Sequence, residues 1–163
     1  MKKSRKGFTL VELLIVIVVI GILSAMMMLS STEAVTSAKA SNIVSNLRNL
    51  KTAALAYYTD HMDDMEGVTT APSTFSKDVA GYLSNKNNIS EPGYDVVINS
   101  SGEWYVTYTI NNTRNSATEQ AGIINKLKGR AKSVGLCGGV ATSSVASKDN
   151  YGTQTAVVAM FVR

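Results

Sequence analysis

Five side chains able to ligate a cation crowd into one short stretch: Asp60, His61, Asp63, Asp64 and Glu66. The stretch lacks the alternating oxygen ligands and central glycine of an EF-hand loop. Its acids stand where a helix ends and oppose the negative end of the helix dipole. A basic side chain of the same or a neighbouring chain satisfies them more simply than a metal, so no metal or cofactor is assigned. A second cluster, Lys126, Lys128, Arg130 and Lys132, has the charge with which phosphate binding begins. Residues two apart scatter around a helix, however, and no aromatic platform accompanies them, so nucleic acid is not an expected partner. Cys137 is the sole cysteine and His61 the sole histidine. That excludes a disulfide scaffold and leaves Cys137 as a small buried residue rather than a nucleophile. Asp149 and Asn150 are too few to hold calcium. No catalytic residue is assigned, and the chain is not read as an enzyme.

The chemically unusual residue is Glu12. Phe8 to Leu29 is a run of 22 residues in which Glu12 is the single charge. At about 1.5 Å per residue it makes roughly 33 Å of helix, enough to cross a bilayer. A carboxylate inside such a helix costs about 2.5–3.5 kcal/mol at the bilayer centre and calls for a named partner unless it snorkels to the interface. Glu12 lies one helical turn after Phe8. A cut between Gly7 and Phe8 would create an ammonium group at that distance, and between staggered chains the pair would set the register of assembly. Lys2, Lys3, Arg5 and Lys6 precede the apolar run with no acid among them, which orients that end to the cytoplasm. The net charge of +4 comes from this leader alone: from Phe8 onward basic and acidic side chains balance. A secretory signal would show a shorter apolar run and a small-residue cleavage site, and Ser24-Ala25 is a poor one because the run continues through Met28.

The stretch Lys6-Gly7-Phe8-Thr9-Leu10-Val11-Glu12 resembles the processing site of type IV prepilins and type II secretion pseudopilins. The resemblance implies removal of residues 1–7 by a prepilin peptidase, with cleavage after Gly7 and N-methylation of Phe8. It further implies stacking into a helical filament in which Glu12 neutralises the Phe8 ammonium of a neighbour. Gly21, four residues before Ala25, forms a small-x3-small pair that lets helices approach closely; the resemblance places it where filament helices loosen. Many type IV pilins carry a proline where this chain has Leu29, and many close a C-terminal loop with a disulfide, which a lone Cys137 cannot do over residues 136–152.

These residues need a stalk and a head to position them. No Gly or Pro occurs between Ile22 and Glu66, and a helix from Phe8 to about Asp60 spans roughly 80 Å. Ile43, Leu47, Leu50, Ala54, Tyr57 and Tyr58 share one face of its second half, with Arg48, Asn49, Lys51 and Thr52 mainly outside it. Ser30-x-x-Glu33 is a competing capping-box signature for a new helix; the continuous helix is the expectation. Gly67 and residues 69–74 read as a loop. Phe75, Val79, Tyr82 and Leu83 have helical spacing. Tyr94 to Asn99 and the alternating Trp104 to Ile110 read as strands around the Ser100-Ser101-Gly102 turn. Ser116 to Lys132 reads as a helix with Ile123, Ile124 and Leu127 inward, Gly135 to Gly139 as a loop, and Thr153 to Val162 as a buried strand.

The expected architecture is α+β, the type IV pilin fold: a long N-terminal helix packed against a C-terminal antiparallel sheet. It divides into a cleaved basic leader (1–7), a transmembrane and filament-core helix (8–29), its amphipathic continuation (30–62) and a globular head (63–163). The resemblance implies a bacterial pilus subunit serving adhesion, motility or uptake. It would be held in the inner membrane and its lipid as a precursor, then polymerised with copies of itself by the inner-membrane pilus assembly machinery into a surface filament. The alternatives are a pseudopilin of a secretion or DNA-uptake system and, from another class, a single-span anchored periplasmic binding domain.

Overall fold

The computed structural model describes residues 7–65, 67–68, 75–83, 93–99, 101–110, 115–138, 151 and 156–163. The leader up to Lys6, Glu66, the 69–74 loop, Ser100, Asp149, Asn150 and the remainder of the 136–152 loop expectation other than 136–138 and Tyr151 lie outside them. Helix α1 runs Leu10–Asp60, followed by a single turn α2, Met62–Met65, and the short α3, Phe75–Ala80. Strands β1 (Tyr94–Ile98) and β2 (Trp104–Thr109) precede helix α4 (Ala117–Val134), and β3 (Leu136–Gly138) and β4 (Val157–Phe161) end the chain. The chain divides into two compact units, Met1–Val35 and Thr36–Arg163.

The first unit contains the apolar part of α1. Its run Ile15 to Ile20 is entirely β-branched, which lowers helix propensity in water. In hydrocarbon the alternative to a helix is an unsatisfied backbone, and the helix wins. The second unit is built on the other part of α1. Ile43, Val44, Leu47, Leu50, Ala53, Ala54 and Tyr57 are buried and Tyr58 half-buried, so the amphipathic stripe falls where its spacing put it. The α1 ladder passes Leu29 and the Ser30–Glu33 segment without a new start.

The sheet has the order β1-β2-β4-β3, antiparallel throughout. Trp104, Val106 and Tyr108 of β2, with Val158 and Met160 of β4, join α1 in one core. The opposite face carries a smaller cluster of Tyr105, Cys137 and Ala159, with Phe161 against it. Tyr105 and Thr107 are therefore buried as well, so β2 is covered on both faces despite its alternating sequence. The β1–β2 hairpin is closed by Asn99, whose Oδ1 accepts from the amides of Ser101 (3.0 Å) and Glu103 (2.8 Å); Gly102 turns the chain at φ +75°. Leu136 to Gly138, expected as loop, is a strand: Gly135 ends α4 in the left-handed conformation (φ 73°) and delivers the next three residues to β4.

Helix α4 begins with a reciprocal capping box between Ser116 and Glu119 and buries Ile123, Leu127 and Ala131, while Ile124 is only half-buried. It meets α1 at three places. Lys39 Nζ donates to Asn115 Oδ1 (2.9 Å) and Glu119 Oε1 (3.3 Å). Arg130 Nη1 donates to Ser41 Oγ (2.8 Å). At Gly122 a Cβ would stand 2.9 Å from Thr36 Cγ2, so the close approach depends on the missing side chain. The half-exposed ion pair is screened by solvent and adds little; the three buried apolar side chains hold the helix.

Two buried phenols give this unit a pH signature. The Tyr105 hydroxyl donates to Glu103 Oε2 (3.0 Å), and burial first, then this carboxylate, pushes its pKa up to about 12. Burial alone pushes Tyr151 up to about 12. An unfolded tyrosine ionises near pH 10. The stability these neutral phenols contribute is therefore fully present below about pH 10 and lost as pH rises through 12. Alkaline titration followed by phenolate absorbance is expected to show Tyr105 and Tyr151 ionising last, with the unfolding midpoint falling over the same interval.

Candidate functional site: the junction at the start of α1

Gly7, Phe8 and Thr9 precede α1 and are non-helical and exposed. Thr9 is the helix N-cap. Its amide donates to Glu12 Oε2 (2.8 Å), its hydroxyl donates to the same oxygen (2.7 Å), and the Glu12 amide donates back to Thr9 Oγ1 (3.3 Å). This is a capping box, with Leu13 N donating to Thr9 O (3.3 Å) as the first turn of the helix. The junction residue missed in the sequence is thus Thr9. Its signal was the T-x-x-E pattern, the same type of signature read at Ser30-x-x-Glu33.

The carboxylate at the head of the apolar helix is met by donors of its own chain. Two donors of its own chain solvate one oxygen, and both are retained after a cut between Gly7 and Phe8, because the Thr9 amide belongs to the Phe8–Thr9 bond. Both bonds end on Oε2, and among the described residues no cation lies within ion-pair reach of Glu12.

Around this junction nothing apolar is buried. Phe8 is 85% exposed, and the large apolar side chains from Leu10 to Met27 are between 48% and 80% exposed. The helix is long and apolar enough to cross a membrane. A Cβ at Gly21 would meet nothing within 4 Å, so that face is open to a neighbouring helix.

The other candidate residues go elsewhere. Asp60, Asp63 and Asp64 are exposed, and among the described residues no group of three His, Cys, Asp or Glu is placed to hold a metal. The His61 ring stacks on Tyr57 (4.3 Å between centroids), and its Nδ1–H donates to the Tyr57 carbonyl (3.1 Å). Tyr82 stands edge-on to Tyr57 (5.7 Å), and its hydroxyl bonds to Asp60, which raises its pKa. Cys137 is buried in β3 beside Ala159 and Tyr105, in a different cluster from Tyr57, on which His61 stacks. Lys128, Arg130 and Lys132 are exposed on α4 and Lys126 is half-buried.

The prokaryotic N-terminal methylation motif matches residues 2–28. A fimbrial protein of Neisseria meningitidis serogroup A is 33% identical over 81 residues, covering 50% of this chain and 48% of that protein. The type IV major pilin protein PilE1 of Neisseria gonorrhoeae is 30% identical over 107 residues, 63% of this chain and 57% of that protein. The chain thus spans about half the length of these curated relatives. No solved structure matches. A methylation motif on the junction, partial matches to two pilins, and a fold with a long N-terminal helix and an antiparallel sheet make the chain similar to type IV pilins.

Proposed function

We propose that this protein is a structural subunit of a bacterial type IV pilus. It is inserted in the inner membrane, cut after Gly7 by a prepilin peptidase, methylated on the Phe8 amine and polymerised into a surface filament by the inner-membrane assembly machinery. Its work is structural rather than catalytic. The observation that carries this reading is Glu12 held by Thr9 beside the junction, at the head of a helix whose large apolar side chains from Leu10 to Met27 are all exposed.

Lipid tails are as apolar as leucine, so moving the helix from bilayer to filament gains little from hydrophobic burial. The directional term has to come from polar groups, and the only charges in the segment are Glu12 and the amine that cleavage creates. Pairing them between copies gives assembly a register; Gly21 gives the helices room to approach. Methylation leaves the amine cationic, so the pair survives it.

Intact-mass measurement of membrane-extracted protein is the direct check. The expected result is loss of residues 1–7 and a gain of one methyl group. Full-length chain in mature cells would contradict the proposal and favour an anchored domain.

A further inference from the structure

The outer face of α4 presents Asn125, Lys128, Gly129 and Lys132 to solvent. From Gln120 to Val134 the helix has four basic side chains and no acid. Arg130 is turned onto Ser41, whereas Lys128 and Lys132, one turn apart on the exposed face, make no ion pair among the described residues. The same unit has the opposite charge at the C-terminal end of α1. Asp63 and Asp64 are exposed in the turn after it, beside Asp60, with no basic residue in the last turn of the helix. Neither Asp63 nor Asp64 has an ion-pair partner among the described residues.

Within one chain these two regions do not compensate each other. Helix α4 meets α1 at Thr36, Lys39 and Ser41, and from Ser41 to Asp60 the helix rises roughly 29 Å. That is several times the Debye length of about 8 Å at physiological salt. The acids gain nothing from the helix end they sit on, because the dipole there is also negative.

We infer that the outer face of α4 docks on the acidic end of α1 of a second copy, with Lys128 and Lys132 against Asp63 and Asp64. The contact is heterologous: each copy uses its basic flank on one neighbour and keeps its acidic end for another, so it repeats without closing. The inference rests on the filament assembly proposed above and adds the head surfaces that meet in it.

The test uses the full chain in its assembling host, with filament yield in sheared fractions normalised to the subunit in the membrane. Lys128→Glu/Lys132→Glu and Asp63→Lys/Asp64→Lys are each expected to lower the yield about tenfold or more, because like charges then face each other. The chain with all four reversals is expected to recover most of it. Oxidation of an Asp63→Cys/Lys132→Cys chain is expected to give a ladder of covalent multimers. Wild-type filaments with both reversals at wild-type yield overturn the docking while leaving the filament standing. So do two defective reversals whose combination is no better, which would point to a separate polyanionic partner for α4. A wild-type protein that forms no filament overturns the assembly itself.

Discussion

Glu12→Ala is expected to insert and to be cleaved after Gly7, yet to yield at least about tenfold fewer fibres. Close charge pairs across interfaces are coupled by about 1.5–7 kcal/mol, and each 1.4 kcal/mol is tenfold. The capping box supplies the control that separates charge from helix stability. Thr9→Val removes the cap hydroxyl, a loss of about 1 kcal/mol, but leaves the carboxylate. Glu12→Gln keeps an oxygen that can accept from the Thr9 amide and removes the charge. Counting sheared fibres per membrane subunit, Glu12→Gln is expected to fail like Glu12→Ala, with Thr9→Val close to wild type. The reverse order would mean that Glu12 serves only to start the helix.

The second large effect is in the head. Trp104 is 1% exposed and stands edge-on to Phe75 (4.9 Å between centroids) and Tyr58 (5.3 Å). Its backbone exchanges hydrogen bonds with the last two residues, donating to Arg163 O (3.1 Å) and accepting from Val162 N (2.8 Å). The Arg163 guanidinium lies 3.7 Å from the centre of the Tyr58 ring. One indole thus connects α1, α3, β2 and the end of the chain. Trp104→Ala is expected to cost about 3–5 kcal/mol, against a typical total of 5–15. Thermal unfolding of the full chain in detergent, followed by near-ultraviolet dichroism, measures it. Tyr82→Ala, at an exposed ring, is expected to shift the midpoint far less.

The sequence made the long helix legible because two different patterns meet in it: apolar on all sides up to Leu29, then one-sided from Ile43 to Tyr58. Both patterns are local, and so is the hairpin signal around Gly102. What depended on distant partners was not legible. Leu136 to Gly138 has no alternation of its own and becomes a strand only because β4 offers an edge. The burial of Tyr105 and Thr107 on the second face of β2 depends on what covers that face, which alternation within one strand does not reveal.

At the junction, Glu12 stood out by cost, being the single charge in a long apolar run. Thr9 does not, since its T-x-x-E spacing is a common one and carries no charge of its own. The similar signature at Ser30–Glu33 failed for a physical reason. An N-cap is useful only where helix amides are orphaned, and within a continuing helix those amides already have partners one turn back. The local box at Thr9 is real because Gly7 and Phe8 before it are non-helical.

A filament reconstruction from sheared appendages tests the central claim most directly. Glu12 is expected within about 4 Å of the Phe8 amine of an adjacent copy, with residues 1–7 gone. A polymer in which the carboxylate meets only its own Thr9, with no neighbouring amine in reach, would contradict it.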